Sequence, residues 1–148
     1  MSNSLLDARR AAREQQDYEP LVRLVPYARF LGVQVSMADG QPRSRLPYKP
    51  SLIGNRALPA LHGGVTAAFM ENAALLHLLL QLDQDRIPKS IDFSIDYLLS
   101  GRAEDCHAAC EVSRAGSRIA NVMIRCWQSD PARPIALARA HFLLSAPE

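Results

Sequence analysis

Apolar positions recur along this chain with two different periods, and the change between them divides it. From Leu61 to Leu82 (LHGGVTAAFMENAALLHLLLQL) they crowd most of a helical wheel, over a length that suits a helix and not a strand. After Pro88 the period becomes two. Ile91, Phe93, Ile95, Tyr97 and Leu99 form one alternating set, Cys106, Ala108, Cys110 and Val112 a second, Ala120, Val122, Ile124 and Cys126 a third, and Ala136, Ala138, Ala140, Phe142 and Leu144 a fourth. Turn signals separate these sets at Ser100-Gly101, Arg114 to Ser117 and Asp130 to Pro134. Ahead of the helix, Val33, Val35 and Met37 predict a strand, Ala38-Asp39-Gly40 a turn, and Arg43 to Tyr48 a returning strand that Pro42 and Pro47 make an edge candidate. Strands this close in sequence pair antiparallel, because parallel pairing needs a crossover of a dozen or more residues. A helix apolar around most of its circumference must be covered on most sides. The pattern therefore predicts an α+β domain, one antiparallel sheet of about six strands curled around a central helix.

The N-terminal stretch is different in kind. Residues Ser4 to Gln16 read as a polar helix anchored by Leu5 and Leu6, whose partner can be a neighbouring subunit. Pro20 opens a second helix through Phe30, with Leu21, Leu24, Val25 and Ala28 at helical spacing, Pro26 interrupting it and Gly32 ending it. This gives a helical segment over 1–31 and the α+β domain over 32–148. Lys49 to Ala60, with Pro50, Gly54 and Pro59, reads as a loop that feeds the central helix.

A formal charge of +2 over 148 residues, with no basic run, argues against a nucleic-acid partner. The first twenty residues lack the basic-then-apolar layout of a secretory signal, so a cytoplasmic location is expected. Cys106, Cys110 and Cys126 lack CxxC spacing and read as reduced thiols in a sheet. A metal site is not expected, since strand geometry points Cys106 and Cys110 one way and His107 the other. Glu71, Asn72, His77 and Gln81 make the central helix a soluble core element and not a membrane span.

On the wheel, Thr66, Ala73, His77 and Gln81 form a polar stripe opposite an apolar arc of Val65, Ala68, Phe69, Leu75, Leu76, Leu79 and Leu82. Glu71 falls at the edge of that arc and Asn72 inside it. Structural roles account for each alone: Glu71 reaches water or Arg86, a strand backbone satisfies Asn72, His62 bonds the preceding loop, and Gly63-Gly64 permits close packing. Taken together they suggest chemistry. A helix start offers unpaired N–H groups and partial positive charge, and glycines let a carbonyl approach them. A carboxylate within reach can activate water or attack the carbon. Gly63 and Glu71 stand roughly 12 Å apart along a helix axis, too far for one carbonyl. Two copies with antiparallel helices would bring Gly63 or Gly64 of one to Glu71 of the other, so a catalytic reading requires at least a dimer.

LHGGVTAAFMEN also resembles the His-Gly-Gly motif of the hotdog-fold acyl-CoA thioesterases, in the phenylacetate-pathway (PaaI-like) group, with the acid nine positions after the histidine at Glu71. The resemblance runs from about Gly32 to Leu144 and includes the loop before the helix, IDFSIDYL after it, and the turn at Arg114 to Arg118. It implies a hotdog fold, a dimer or dimer of dimers, and hydrolysis of a thioester to a free acid and coenzyme A. It makes Glu71 nucleophile or general base and Gly63 or Gly64 the donor to the thioester oxygen. His62 orients the loop, Asn55 holds substrate or water, and Ser90 positions the attacking water. Where some relatives carry a threonine one turn after the acid, this chain has Leu75. The implied substrate brings phosphates, for which Arg102, Arg114 and Arg118 are candidate contacts, and the apolar arc with Phe69 is a candidate acyl lining. No metal or redox cofactor is needed. The alternative function is a non-catalytic acyl-CoA-binding hotdog protein.

Overall fold

The computed structural model describes residues 3–144. Three helices open the chain, α1 Asn3–Gln15, α2 Glu19–Arg23 and α3 Pro26–Leu31, followed by strands β1 Gln34–Ala38 and β2 Gln41–Leu46. A 3-10 turn at Pro50–Leu52 leads to two short strands, β3 Ile53–Asn55 and β4 Ala60–Leu61, and then to the central helix α4 Gly63–Gln81. Four strands complete it: β5 Lys89–Tyr97, β6 Cys106–Ala115, β7 Ile119–Trp127 and β8 Ala136–Leu143. The six long strands form one sheet in the order β1-β2-β6-β7-β8-β5, antiparallel at every step. The sheet curves around α4, the arrangement expected from the pattern.

Alternation explains which face meets the helix. Ala120, Val122, Ile124 and Cys126 of β7 and Ala136, Ala138, Ala140 and Phe142 of β8 are all buried. The alanines leave room for α4 to lie close to the strands. Phe69, Met70, Leu78 and Leu79 of α4 are completely buried, at roughly 2 kcal/mol of apolar transfer each. Thr66 and His77 are buried as well, so the expected polar stripe is not solvated, and Gln81 alone of its polar residues is exposed.

The reason is the N-terminal segment. Leu5, Ala8 and Ala12 of α1, Leu21 and Val22 of α2, and Ala28 and Leu31 of α3 join the same apolar core as α4. Leu6, expected as an anchor, is instead 47% exposed. The α1 helix thus lies on its own chain, not on a neighbour, and Arg9 fixes it there. Its guanidinium is buried and donates to the carbonyls of Leu79 (3.0 Å), Leu82 (2.7 Å) and Gln84 (2.5 Å). Those carbonyls lie in the last turn of α4 and just beyond it, where backbone acceptors lack helical partners and the dipole is negative.

Three expectations are corrected in detail. The single helix from Pro20 to Phe30 is two helices, because Val25, preceding Pro26, is extended at φ −110°, ψ 95°; Gly32 does end α3, at φ +81°. The prolines do not place β2 at an edge: β6 pairs with Arg43 to Leu46, beyond Pro42, and Pro47 follows the strand. The free edges belong to β1 and β5. The loop before α4 contains the β3-β4 ribbon, whose pairing Asn55↔Ala60 is too short to show as periodicity.

Candidate active site

The start of α4 is held from several directions. The His62 N–H donates to the Leu52 carbonyl at 2.9 Å, and His62 Nδ1 accepts from the Gly64 N–H at 2.9 Å, which makes the imidazole the helix cap and requires an unprotonated Nδ1. Gly54 is obligatory behind it, since a Cβ there would lie 2.7 Å from His62 Cα. The His62 carbonyl accepts from the N–H groups of Val65 (3.0 Å) and Thr66 (3.3 Å). Three of the first four amides of α4 are thereby engaged. The Gly63 N–H is the one without an acceptor among the described residues.

Tyr97, at the end of β5, donates from its hydroxyl to the Gly63 carbonyl at 2.6 Å. Gly63, Thr66, Tyr97, Leu98 and Leu99 line a cleft of about 370 Å³. Through Ala60, Leu99, Ser100, Gly101 and Ile135 this cleft shares its wall with a second of about 610 Å³, which carries Leu58, Arg102 and Arg133. Phe69 has no exposed surface and belongs to the core, so it lines neither cleft; Leu98 and Leu99 are accessible apolar groups of the cleft at Gly63, and Leu58 of the adjoining one.

Glu71 lies eight residues further along α4, roughly 12 Å from Gly63 by helical rise. It is half-buried, and among the described residues its carboxylate has no hydrogen-bond or ion-pair partner. Asn72 beside it is explained structurally: its Nδ2 donates to the Ala68 carbonyl of the preceding turn at 2.8 Å, not to a strand. Asn55 is exposed at the end of β3, and its Oδ1 accepts from the Ala57 N–H of the following turn at 3.0 Å. Ser90 is exposed near the start of β5, at the bulge between Ser90 and Asp92 and at the opposite end of that strand from Tyr97.

The three candidate arginines do not converge. Arg114 and Arg118 share a cleft of about 590 Å³ with Ile91, Asn121 and the His141–Asp92 pair (3.0 Å), whereas Arg102 lines the 610 Å³ cleft that adjoins the one at Gly63. His107 stacks on Trp127 on the other side of β6 from buried Cys106, and burial pushes the Cys110 thiol up to about 12, away from thiolate chemistry. Among the described residues no group of three or more His, Cys, Asp or Glu is placed to hold a metal. Two residues escaped sequence reasoning. Arg133 was hidden in a turn, and Tyr97 read only as one more apolar position in an alternating strand.

Residues 58–135 match the family model described as the thioesterase superfamily. The medium/long-chain acyl-CoA thioesterase YigI of Escherichia coli (strain K12) is 32% identical over 117 residues, covering 69% of this chain and 75% of that protein. Among solved structures, a Chromobacterium violaceum protein is 37% identical with a TM-score of 0.76, over 96% of this chain and 99% of its own. A Bacillus halodurans protein crystallised with CoA shares the fold at 20% identity and a TM-score of 0.70, over 99% of this chain and 91% of its own. The central helix, the sheet wrapped around it and these matches lead to one assignment: the chain is a thioester hydrolase of hotdog fold and belongs to the thioesterase superfamily.

Proposed function

We propose that this protein hydrolyses acyl-CoA thioesters to a free carboxylic acid and coenzyme A, with each active site shared between two copies of the chain. The observation that carries the reading is the pairing of a Gly63 N–H at the start of α4 with a half-buried Glu71 two turns on, both without a partner among the described residues. The Gly63 amide, at the positive end of the helix, receives the thioester oxygen as it gains charge. Glu71 of the other copy either takes a proton from water, which then adds to the carbonyl carbon, or attacks that carbon itself to give an anhydride that water hydrolyses. In both routes the C–S bond breaks, and coenzyme A leaves as the thiolate and takes up a proton. His62 caps the donor turn, Ser90 holds the water, and Asn55 borders the entry to the site.

The unpaired edge of β5 supports the dimer. Ile91 and Tyr97 on β5, with Leu98 and Leu99 after it, are 45–54% exposed, an unusual row for an edge left to solvent. Antiparallel pairing of two such edges would bring the Tyr97–Gly63 end of one copy to the Ser90 end of the other. Leu58, Leu98 and Leu99 then serve the acyl chain, and medium to long chains are the substrate class suggested by the YigI relative. Arg102 with Arg133, or Arg114 with Arg118, meet the coenzyme's phosphates.

Release of free thiol from a panel of acyl-CoA substrates of increasing length tests the reading. Turnover by the wild type that falls at least 100-fold in Glu71→Ala is expected. Undiminished turnover in the variant would refute the role of Glu71, and tight acyl-CoA binding without turnover would leave a binding protein.

A further inference from the structure

We infer that Tyr97 is a positioning residue for the oxyanion donor, its hydroxyl holding Gly63 so that the Gly63 amide stays aligned with the thioester oxygen. The inference rests on the role proposed for Gly63 and adds to it a residue from a distant strand.

Tyr97 closes β5 opposite Ala136 of β8, and 34 residues of sequence separate it from Gly63. Its hydroxyl donates to the Gly63 carbonyl at 2.6 Å. Neither group needs this bond. Inside α4 that carbonyl has the Ala67 amide as its helical donor, so Tyr97 uses the second lone pair. Tyr97 is 54% exposed, and water would satisfy its hydroxyl without tying the ring to the helix. The bond instead adds a restraint to the residue whose own amide has no acceptor among the described residues. Leu52 and Gly54 fix His62, and His62 fixes Gly64, whereas Tyr97 is the side chain that reaches Gly63 itself.

Glycine at the first position of a helix has the widest backbone freedom of any residue, and terminal turns fray. A donor with that freedom loses part of its effect, because an oxyanion site works by being aligned before charge develops. The ring also packs against Gly63, where a Cβ would stand 3.2 Å from the hydroxyl oxygen. Because Tyr97 lies on the free edge strand, association of two copies along β5 would order the side chain that aligns the donor.

Tyr97→Phe keeps the ring and removes the hydroxyl. The expected result is a kcat lower by about fivefold to tenfold with KM within about twofold and an unchanged oligomer mass by light scattering. A second variant separates alignment from general loosening. Gly63→Pro lacks the amide to be aligned, and proline is tolerated at a first helical position once the exposed Tyr97 ring gives way to the added Cβ, so in that background Tyr97→Phe should change the residual rate by less than about twofold. Wild-type kcat in Tyr97→Phe, or the same fold-loss in both backgrounds, would overturn the inference. Thioester turnover that is lost in Glu71→Ala but untouched in Tyr97→Phe would remove this inference alone, whereas no turnover by the wild type would remove it together with the reading beneath it.

Discussion

Replacing Arg9 by methionine should destabilise the protein more than any other single change at its charged residues. The methionine keeps most of the apolar stem, so the change isolates the guanidinium and its bonds to Leu79, Leu82 and Gln84. Leu79 is fully buried, so its carbonyl would lose its charge-assisted bond without replacement by water, at about 2 kcal/mol. The Leu82 and Gln84 carbonyls are less enclosed and water can serve them, which leaves about 1 kcal/mol each. Against this stands relief of the guanidinium's desolvation, whose sign is visible in an Arg9 pKa pulled down chiefly by burial with Asp83 opposing, and which offsets about 1 kcal/mol. The net loss is about 3 kcal/mol, and at roughly 3 °C per kcal/mol for a chain of this size the thermal midpoint falls by about 9 °C. Circular dichroism at 222 nm would follow the transition. A midpoint within 2 °C of wild type would refute the clamp, as would an equal fall in Asp83→Asn, whose ion pair with Arg13 is exposed at 53% and 83% and contributes little.

Two further outcomes are expected. Gly54→Ala pushes a methyl group against His62 Cα, which cannot move without shifting the start of α4, so kcat should fall by about tenfold and urea should unfold the variant about 1–3 kcal/mol earlier; wild-type kinetics would mean that the ribbon does not position the cap. His77 is 4% exposed, and burial holds its pKa below 6.5, so in acid the unfolded chain takes up a proton that the folded chain refuses. Stability is then lost as the pH falls below 6.5, and His77→Leu should reduce the difference between urea midpoints at pH 7.5 and pH 5.5, while an unchanged difference would assign the acid sensitivity elsewhere.

The central helix, the succession of strands along the chain and the inward alanines were legible because each rests on a periodic signal that burial enforces, whereas the placing of β5 beside β8 and not β6 carries no such signal. Glu71 and the glycine pair were legible as exceptions to such a signal. What escaped depends on contacts between residues far apart in sequence. Arg9 looks like a solvated charge in a polar helix until the end of α4 is folded against it, and the covering of Thr66 and His77 follows from the same docking. The position of β2 was misread because the strand that covers it, β6, begins 60 residues after its end. Three arginines at turns look equivalent in sequence, yet the fold sends Arg102 to one cleft and Arg114 and Arg118 to another. The hydroxyl of Tyr97 carries no pattern at all, since in strand register it counts as one more apolar position.

The shared site can be tested directly by mixing two inactive variants. Glu71→Ala lacks the carboxylate. Gly63→Pro lacks the amide donor; the backbone accepts proline because His62 is already extended at ψ 129° and Gly63 is the first residue of α4, and the exposed Tyr97 ring must shift by a few tenths of an ångström from the added Cβ, which would stand 3.2 Å from its hydroxyl. If Glu71 of one copy works with Gly63 of the other, each hybrid dimer has one intact site, and a 1:1 mixture unfolded and refolded together should recover about a quarter of the wild-type acyl-CoA hydrolysis. Recovery of none, with hybrid dimers demonstrated by a size tag on one variant, would contradict a site built from two chains.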